Sequence, residues 1–411
     1  MQVLDQITLP NKITADVPAR NFSRTTLLTT AQDFDRLQEE WDELLADCAA
    51  GGYFLRWHWN RAWWDTYAPR DSHLFLITCR DEEGQLIGLA PFYWRQKHIA
   101  GIAHLREILF LGTGTDIKTS EYLNLLARQG YEQIVAQEIA RFLQTKPTWD
   151  RLWLWGVVSD TPIIQLFRQA LGAKANVTTC DHTRHVNTKT DWETFRQSLS
   201  AARRKNVSYL HRRLFKTYSC EFRRIENLEE LTPALDGLIH LHQLRWESKG
   251  ESGSFRLPDF ETFIRKITME NLQTGHLRLW TLTVDGQIAA AQFAFFDRGI
   301  AHYFQGGFDP AYPGIGNVIS WLCIKDCIEA AEVHEFDFMG GSADYKRLWT
   351  KLGRELIALD FFPTHTRAKA YERAIKTGRW GRTRMRELLP QPVRIKGRQM
   401  LDSFMHYLSI R

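Results

Sequence analysis

Apolar and polar residues repeat along the chain with two periods, and these periods predict helices and strands. Over residues 29–48 the apolar positions recur every three or four residues, which is the period of an amphipathic helix. Residues 73–96 instead alternate apolar and polar positions on both sides of Glu83 and Gly84, a pattern that predicts a β-hairpin with Gly84 in its turn. The alternation over residues 276–308 predicts three successive strands.

The remaining periodic segments fall into two similar series. They predict helices at 54–67, 133–143, 161–171, 192–216, 231–246, 259–272, 318–331 and 345–351, and strands at 107–111, 122–127, 151–157, 334–339 and 355–362. Each half of the chain therefore has helices, then a meander of strands, then a helix and further strands. This order predicts an α+β fold in which each half has a central, mostly antiparallel, twisted sheet flanked by helices.

The same pattern divides the chain into four segments. We expect a loose arm at 1–24, a first domain at 25–185, a second domain at 186–365, and a basic helical tail at 366–411. Within the tail, helices are predicted at 367–389 and 393–408, separated by Pro390 and Pro392. Residues 361–411 contain 12 Lys or Arg and 3 Asp or Glu. Such a tail could contact tRNA or an anionic membrane surface, or it could be a solvated helix.

Composition narrows the class of protein. The 411 residues are 44% hydrophobic and 25% charged, which excludes a disordered or fibrous chain and allows two or three domains. No apolar run reaches the roughly 20 residues that span a bilayer, and the first residues do not resemble a signal peptide. The six cysteines are dispersed except for Cys323 and Cys327, so we predict neither a disulfide framework nor a metal site. We expect a cytoplasmic protein with no tightly bound cofactor.

The strongest chemical signal is a glycine-rich turn between a predicted strand and a predicted helix. The strand ends near Gly306, and the helix begins through Gly314, Ile315, Gly316 and Asn317. Glycines at a helix start let backbone N–H groups approach a phosphate closely. The alternative is that they only shape a tight loop. The turn is neither a Walker loop nor a dinucleotide-binding fingerprint, because the residues that complete those motifs are missing.

A second signal follows the predicted strand at 334–339. Asp337 lies on that strand, and Tyr345 and Lys346 come after the glycine pair that ends it. Polar groups just beyond a strand end often face a site. Tyr345 could give a proton to a leaving group and Lys346 could hold negative charge. Alternatively, Asp337 is a turn acceptor and Lys346 a surface charge.

Two further clusters carry positive charge. Arg203 belongs to a run of Arg and Lys on one predicted helix, which is either a solvated face or a clamp for a phosphate or an acidic substrate. Arg245 and Trp246 lie one turn after His242 on another predicted helix, and Arg245 is a candidate for receiving the acceptor.

Taken in order, five segments resemble the CelD-like acyltransferase branch of the GNAT superfamily, which is similar to the Fem peptidyltransferases. They are LSAARRKNVSYLHRRL, HLHQLRWESKG, LTVDGQIAAAQFAF, HYFQGGFDPAYPGIGNVI and FDFMGGSADYKRLW. The segments QLIGLAPFY and GTGTDIKTSEYLNLL resemble the partner domain of that family. The resemblance covers roughly residues 30–365. It implies two tandem GNAT-like domains, of which only the second is catalytic.

The resemblance also implies a chemistry, namely transfer of an acyl group, usually acetyl, to an amine on a small molecule, sugar or peptide. The donor would be acyl-CoA or, as in Fem relatives, aminoacyl-tRNA; a non-catalytic scaffold is the remaining alternative. Family members serve polysaccharide, peptide or antibiotic pathways.

Site residues follow from the same likeness. Residues 314–317 match the pyrophosphate loop, although Ala311 stands where Gln or Arg is usual. Tyr345 and Lys346 match the family's Tyr-Lys segment. The strand backbone from Phe304 to Gly306 would polarise the thioester. The predicted strand has no Glu to act as base, so His302 or a water held by Asp337 would take that role.

Overall fold

The computed structural model describes residues 22–99, 103–115, 117–145, 148–172, 175–341 and 344–388. Within these residues the strands form two sheets with helices packed against them. The predicted α+β architecture is therefore confirmed. The second predicted tail helix and residues 1–21 of the predicted arm lie outside the described residues.

The first sheet has the order β1-β2-β3-β4-β6-β14-β7, with β5 paired to β3. Its neighbours are antiparallel apart from β4 and β6, which run parallel. Both predicted strands of the hairpin at 73–96 belong to it. The strands are β1 (Phe22–Leu28), β2 (Ser72–Asp81), β3 (Leu86–Ile99), β4 (Ala103–Phe110), β5 (Leu126–Ala127), β6 (Arg151–Val158), β7 (Asn176–His182) and β14 (Glu355–Phe361).

The second sheet has the order β8-β13-β12-β11-β10-β9. Here the parallel pair is β12 with β13, and the other described pairs are antiparallel. The three strands predicted over 276–308 form its centre. The strands are β8 (His185–Asn187), β9 (Cys220–Ile225), β10 (Leu277–Val284), β11 (Gln287–Asp297), β12 (Ile300–Phe308) and β13 (Glu335–Asp337).

The helices cover both sheets and lie close to the predicted positions. They are α1 (Ala31–Arg36), α2 (Gln38–Asp47), α3 (Trp57–Tyr67), α4 (Glu132–Thr145), α5 (Pro162–Leu171), α6 (Trp192–Ser198), α7 (Ala201–Thr217), α8 (Leu228–Glu247), α9 (Pro258–Gln273), α10 (Ile315–Glu329) and α11 (Thr366–Leu388). Short 3₁₀ turns occur at Tyr53–Leu55, Ser254–Arg256 and Asp344–Leu348. None of the described helices is both long and apolar enough to cross a membrane.

Several local predictions were wrong, among them the helix expected at 345–351, where only the 3₁₀ turn Asp344–Leu348 forms. The single helix expected at 192–216 is broken, because the Ser200 side chain caps α7 by accepting from the Arg203 amide at 3.2 Å. The strand expected at 122–127 is reduced to β5, because Tyr122 has a positive φ of 58°. Phe22–Leu28, at the limit of the arm expected at 1–24, forms β1 and pairs with β2.

Strand β14 lies in the first sheet, although its sequence position falls within the predicted second domain. It is antiparallel to both β6 and β7, which it separates. Leu359 and Phe361 are fully buried, and Asp360 bonds the buried Arg151 at 2.6 Å. The predicted domain limits, 25–185 and 186–365, remain a prediction.

The aromatic residues join the two halves in one core. Tyr53 stacks on Phe295 of β11 with ring centroids 4.4 Å apart, and Trp59 contacts Phe263 of α9 at 4.9 Å. Burying one such side chain contributes about 1.5–3 kcal/mol. A smaller second cluster lies on the other side of β12, between the sheet and α10. Each face of the second sheet is therefore covered by apolar packing.

Candidate functional site

The second sheet opens at the end of its parallel pair. Strand β12 pairs with β13 only from Ile300 to His302, which face Glu335 to Asp337. Beyond His302, β12 continues to Phe308, and no described strand pairs with it on that side. The two strands therefore part beyond His302 and leave a cleft at the edge of β12.

A β-bulge marks the point where the strands part. Phe293 pairs with Gln305 and Ala294 with Tyr303, so Phe304 is the extra residue on β12. The Phe304 ring packs in the core against Phe295, with centroids 5.0 Å apart. A bulge leaves backbone groups of the extra residue outside the ladder. The predicted polarising segment is therefore an irregular stretch of backbone at the mouth of the cleft.

The predicted glycine turn leads into α10. Gly314 has φ 85°, a left-handed conformation that favours glycine, and the helix begins at the next residue. The Ile315 amide bonds the Tyr312 carbonyl at 3.1 Å, and the Asn317 amide bonds the Gly314 carbonyl at 2.9 Å. Within the described residues, the amides of Gly314 and Gly316 have no such partner. Two N–H groups of the four are thus free for an anion, at the positive end of the helix dipole.

A cavity of about 310 Å³ lies beside this turn. Six predicted site residues line it, and they come from four different elements: Arg245, Gly306, Gly314, Gly316, Asn317 and Tyr345. Gln292, Tyr303, Phe308 and Ser320 complete the wall. Ile315 is buried in the core, and Trp246 bonds His242 at 2.9 Å and is absent from the lining. The structure therefore brings the turn, the proposed proton donor and one cation together.

Arginines surround the turn. Arg203 is 7% exposed, stacks on Trp349 at 4.1 Å, and donates to Asn317 Oδ1 at 3.0 Å. Burial lowers the pKa of Arg203 to about 10. Its Nε atom has no hydrogen-bond partner within the described structure. A buried guanidinium with an unused donor next to a glycine turn is a feature of phosphate sites.

Tyr345 is held as a neutral phenol. Burial raises its pKa, while the charge of Arg245 and a hydrogen bond with Tyr303 oppose this only in part. Tyr303, in the same wall, has its pKa raised well above the usual value by burial. Both hydroxyls therefore keep their protons at neutral pH. A phenol in this state can protonate a departing thiolate.

His302 and Asp337 lie on the opposite face of the sheet from Tyr345. His302 Nδ1 is 3.3 Å from Asp337 Oδ2, and the Tyr122 hydroxyl donates to the same oxygen at 2.5 Å. Burial acts to raise the pKa of Asp337, but the hydrogen bonds from His302 and Tyr122 outweigh it and lower the pKa. These side chains line a second cavity of about 330 Å³. Of the predicted catalytic residues, His302 and Asp337 therefore lie on one face and Tyr345 on the other.

Lys346 points away from both cavities. It is 7% exposed, and its ammonium group donates to the carbonyl oxygens of Met339, at 3.1 Å, and Gly340. Burial lowers its pKa, although the nearby charges of Glu121 and Asp337 act against this. Lys346 thus fixes the loop after β13, and through it the position of Tyr345.

Sequence reasoning missed Tyr303, Gln292 and Tyr122. The alternation along β12 was a usable signal for Tyr303, because it separates that residue from the face of His302. Gln292 bonds Ser320 at 2.9 Å across from β11 to α10, a contact that no local pattern reveals. Tyr122 is more than 200 positions from Asp337, so only the fold brings them together.

Other kinds of site have less support. Among the described residues, no group of three metal-binding side chains occurs. All six cysteines are free, and Cys323 and Cys327 are buried, as expected for small apolar residues. On α7, by contrast, Lys205, Arg212 and Lys216 are exposed together with Tyr209, which is 54% exposed. This exposed basic face lies on the same helix as Arg203.

Comparison with known proteins gives a domain match over the part of the chain that contains the glycine turn and Tyr345. Residues 201–347 match the model of the GNAT acetyltransferase domain. FemX shares 11% identity and a TM-score of 0.56, covering 83% of this chain and 98% of its own. A conserved protein of unknown function from Bacteroides thetaiotaomicron VPI-5482 shares 11% identity and a TM-score of 0.54, covering 82% of this chain and 100% of its own. Both likenesses extend to the fold. No curated protein matches the sequence.

Proposed function

We propose that this chain, whose residues 201–347 match the model of the GNAT acetyltransferase domain, moves an acyl group, acetyl in the simplest case, from acyl-CoA to an amine. The observation that carries the proposal is the cavity beside the glycine turn. It combines two free amides of the turn, the buried cation Arg203 next to it, and a neutral Tyr345. These groups suit a diphosphate at one end of a ligand and a leaving thiolate at the other.

In this proposal the donor lies along the open edge of β12. Its diphosphate accepts hydrogen bonds from the Gly314 and Gly316 amides, and Arg203 and Arg245 supply positive charge. Its thioester reaches the bulge at Phe304. The amine nitrogen forms a bond to the carbonyl carbon, the C–S bond breaks, and the thiolate takes a proton from Tyr345. Holding the reactants together can contribute about 7–11 kcal/mol to such a step.

Calorimetry with acetyl-CoA tests the donor site through Gly316→Trp. A Cβ atom at Gly316 would be 2.7 Å from the Phe308 ring, so a large side chain must displace Phe308 from the cavity wall. We expect at least a tenfold loss of affinity, about 1.4 kcal/mol. Gly52→Trp is the matched control, because no atom lies within 4 Å of its Cβ position and its φ of −171° suits any residue. Equal affinity in wild type and Gly316→Trp would remove the turn from the donor site.

A second donor class, aminoacyl-tRNA, is favoured by the exposed basic face of α7. Arg213 contacts the Tyr209 ring of this face at 5.6 Å and bonds the Pro313 carbonyl at 3.1 Å, so it connects the face to the glycine turn. Exposed cations with interleaved aromatic residues suit a nucleic-acid backbone and its bases. The test is binding of bulk tRNA at several salt concentrations. Exchanging Lys205, Arg212 and Lys216 for Gln should reduce the salt dependence by roughly the three lost contacts, whereas an unchanged dependence would exclude this donor.

A further inference from the structure

The second cavity lies between the two halves of the molecule and has several charged side chains in its lining. Gly51, Gly52 and Tyr122 of the first half form one wall. The second sheet forms the other wall, through side chains of β11, β12 and β13. A volume of about 330 Å³ is within the usual range for small-molecule sites. Neither the donor site nor the apolar core uses this space.

Two side chains on the sheet wall are diagonal neighbours. Asp297 pairs with Ile300 at the end of β11, and His302 lies two residues further along β12. Side chains in this relation lie on the same face, with Cα atoms about 7–8 Å apart. A single bound group can therefore lie close to both side chains.

Each of these side chains has one atom without a partner. Asp297 Oδ1 accepts from Arg56 at 2.7 Å, but Asp297 Oδ2 has no hydrogen bond within the described structure. His302 Nε2 likewise has none, although Nδ1 contacts Asp337. Both residues are only 4% exposed. An unmade hydrogen bond in a buried position is unfavourable, and a ligand that donates to both atoms would make both missing bonds.

The partners of His302 fix what its free nitrogen can do. The ionised Asp337 is an acceptor, so Nδ1 carries the proton that points at it. The Tyr122 hydroxyl donates to the same carboxylate and keeps it in place. In a neutral imidazole, Nε2 is then left as an acceptor. It can receive a hydrogen bond and, after that, a proton.

The charge of the cavity selects a cation. Its lining contains four carboxylates, those of Asp160, Asp297, Glu335 and Asp337, and two guanidinium groups. Both guanidinium groups are already engaged. Arg354 bonds Glu335 twice, at 2.7 and 2.6 Å, and Arg298 bonds the main-chain carbonyls of Leu45 and Cys48. Asp160 is exposed at the edge of the cavity and has no ion pair within the described structure.

We propose that the second cavity is the acceptor site and that it binds a small molecule bearing a primary ammonium group. Asp297 Oδ2 accepts from the ammonium, and His302 Nε2 removes one of its protons. This inference rests on the proposed function for the transfer step, but the binding of the amine does not depend on it. The first half thus contributes to the acceptor site, through Tyr122 and the wall around Gly52.

The ammonium gives one proton to His302 Nε2, which releases it to solvent. The neutral nitrogen forms a bond to the thioester carbon through the gap between β12 and β13, and the C–S bond breaks. The thiolate receives the proton of Tyr345, and the second proton that the nitrogen loses restores the phenol. The products are an amide, the free thiol and one released proton.

Saturation-transfer NMR with two amine probes tests the site directly. Glucosamine and 1,5-diaminopentane are compared with their neutral counterparts, glucose and 1,5-pentanediol, on the full chain without any donor. We expect saturation transfer to at least one amine and to neither neutral probe. Absence of transfer to both amines, or equal transfer to an amine and its neutral counterpart, would overturn the proposal.

Variants locate the bound amine. Gly52→Trp fills the cavity from the first half without backbone strain, whereas Gly52→Ala leaves it open. Asp297→Asn keeps the shape and removes the charge. We expect Gly52→Trp and Asp297→Asn to reduce amine affinity at least tenfold and Gly52→Ala to have no effect. Wild-type amine affinity in both Gly52→Trp and Asp297→Asn would show that the amine binds elsewhere.

The donor measurement separates this inference from the proposed function. Acetyl-CoA should bind Gly52→Trp as it binds wild type, because the two cavities lie on opposite faces. If acetyl-CoA does not bind wild type, the proposed donor fails while the amine result still decides the acceptor site.

For the role of His302, His302→Gln should lower kcat at least a hundredfold with little change in the KM for the amine. Retained kcat would remove His302 as the base.

Discussion

Exchange of Arg203 for Met should have opposite effects on stability and on donor binding. The Arg203 guanidinium is buried, and its contacts within the described structure are the Trp349 ring and the Asn317 amide oxygen, with no carboxylate among them. A buried cation in such a position lowers the free energy of unfolding of the unliganded protein, and a bound phosphate would offset that loss. Met has a similar length and keeps the apolar contact with the ring.

The magnitude follows from the pKa. Burial lowers the pKa of Arg203 from 12.5 to about 10, which corresponds to at most about 3 kcal/mol of unfavourable charge burial at neutral pH. Met loses a hydrogen bond of about 1 kcal/mol and a cation–π contact of about 1 kcal/mol. The free energy of unfolding should therefore rise by about 1 kcal/mol and should not fall. The affinity for acetyl-CoA should fall about 10- to 100-fold, the value of one charge-assisted hydrogen bond.

The assay is urea unfolding followed by tryptophan fluorescence, together with calorimetry of acetyl-CoA binding. Arg204→Met is the matched control, because Arg204 donates to the carbonyls of Arg196, at 3.2 Å, and Leu199, at 3.1 Å, at the end of α6. It should lower stability and leave donor affinity unchanged. If Arg203→Met lowers stability and binds acetyl-CoA like wild type, Arg203 is a structural residue and the reasoning is wrong.

Three further outcomes are expected. Tyr345→Phe should lower kcat while leaving acetyl-CoA affinity within twofold, and full turnover in the variant would remove Tyr345 as the acid. Because burial raises the pKa of Tyr345, its ionisation should cause no loss of wild-type activity at any pH lower than 10. Glu107→Gln should lower the free energy of unfolding at pH 7 by about 3 kcal/mol, because the charges of Lys97, Arg95 and Arg151 outweigh burial and lower the pKa of Glu107 to about 2. That contribution is present above the unfolded pKa of 4.5 and disappears as the pH falls towards 2, so urea unfolding should show the variant and wild type converging; a constant difference would contradict it. Tyr122→Phe should lower kcat more than it changes the KM for the amine, and steady-state kinetics that show only a KM change would contradict the role given to Asp337.

The periods of the sequence predicted most of the elements, because each strand or helix needs only a local pattern. The hairpin of β2 and β3 and the meander from β10 to β12 were confirmed in position and order. The membership of β14 in the first sheet could not be predicted, because its pattern of buried residues suits either sheet. Its partners on β6 are some 200 positions earlier in the chain.

The site was predicted only where it is local. Gly314 and Gly316 are close in sequence to the strand end that they face, so the turn was visible as a motif. His302 and Tyr345 are separated because they lie on opposite faces of the second sheet. The bulge at Phe304 shifts the alternation of side chains between those faces along β12. The cavity between the halves depends on Tyr122 and on the loop at Gly51 and Gly52, whose sequence carries no motif.

Strand β14 has a consequence for how the chain is made. A ribosome completes β6 and β7 well before it reaches Glu355, so the nascent first sheet has an empty position between them. That position exposes two rows of unsatisfied backbone groups and the apolar neighbours of Leu359, which are surfaces that invite wrong pairing. The N-terminal portion therefore cannot mature before almost all of the chain has emerged, and a fragment ending near residue 185 should need a supplied 355–361 peptide to become compact.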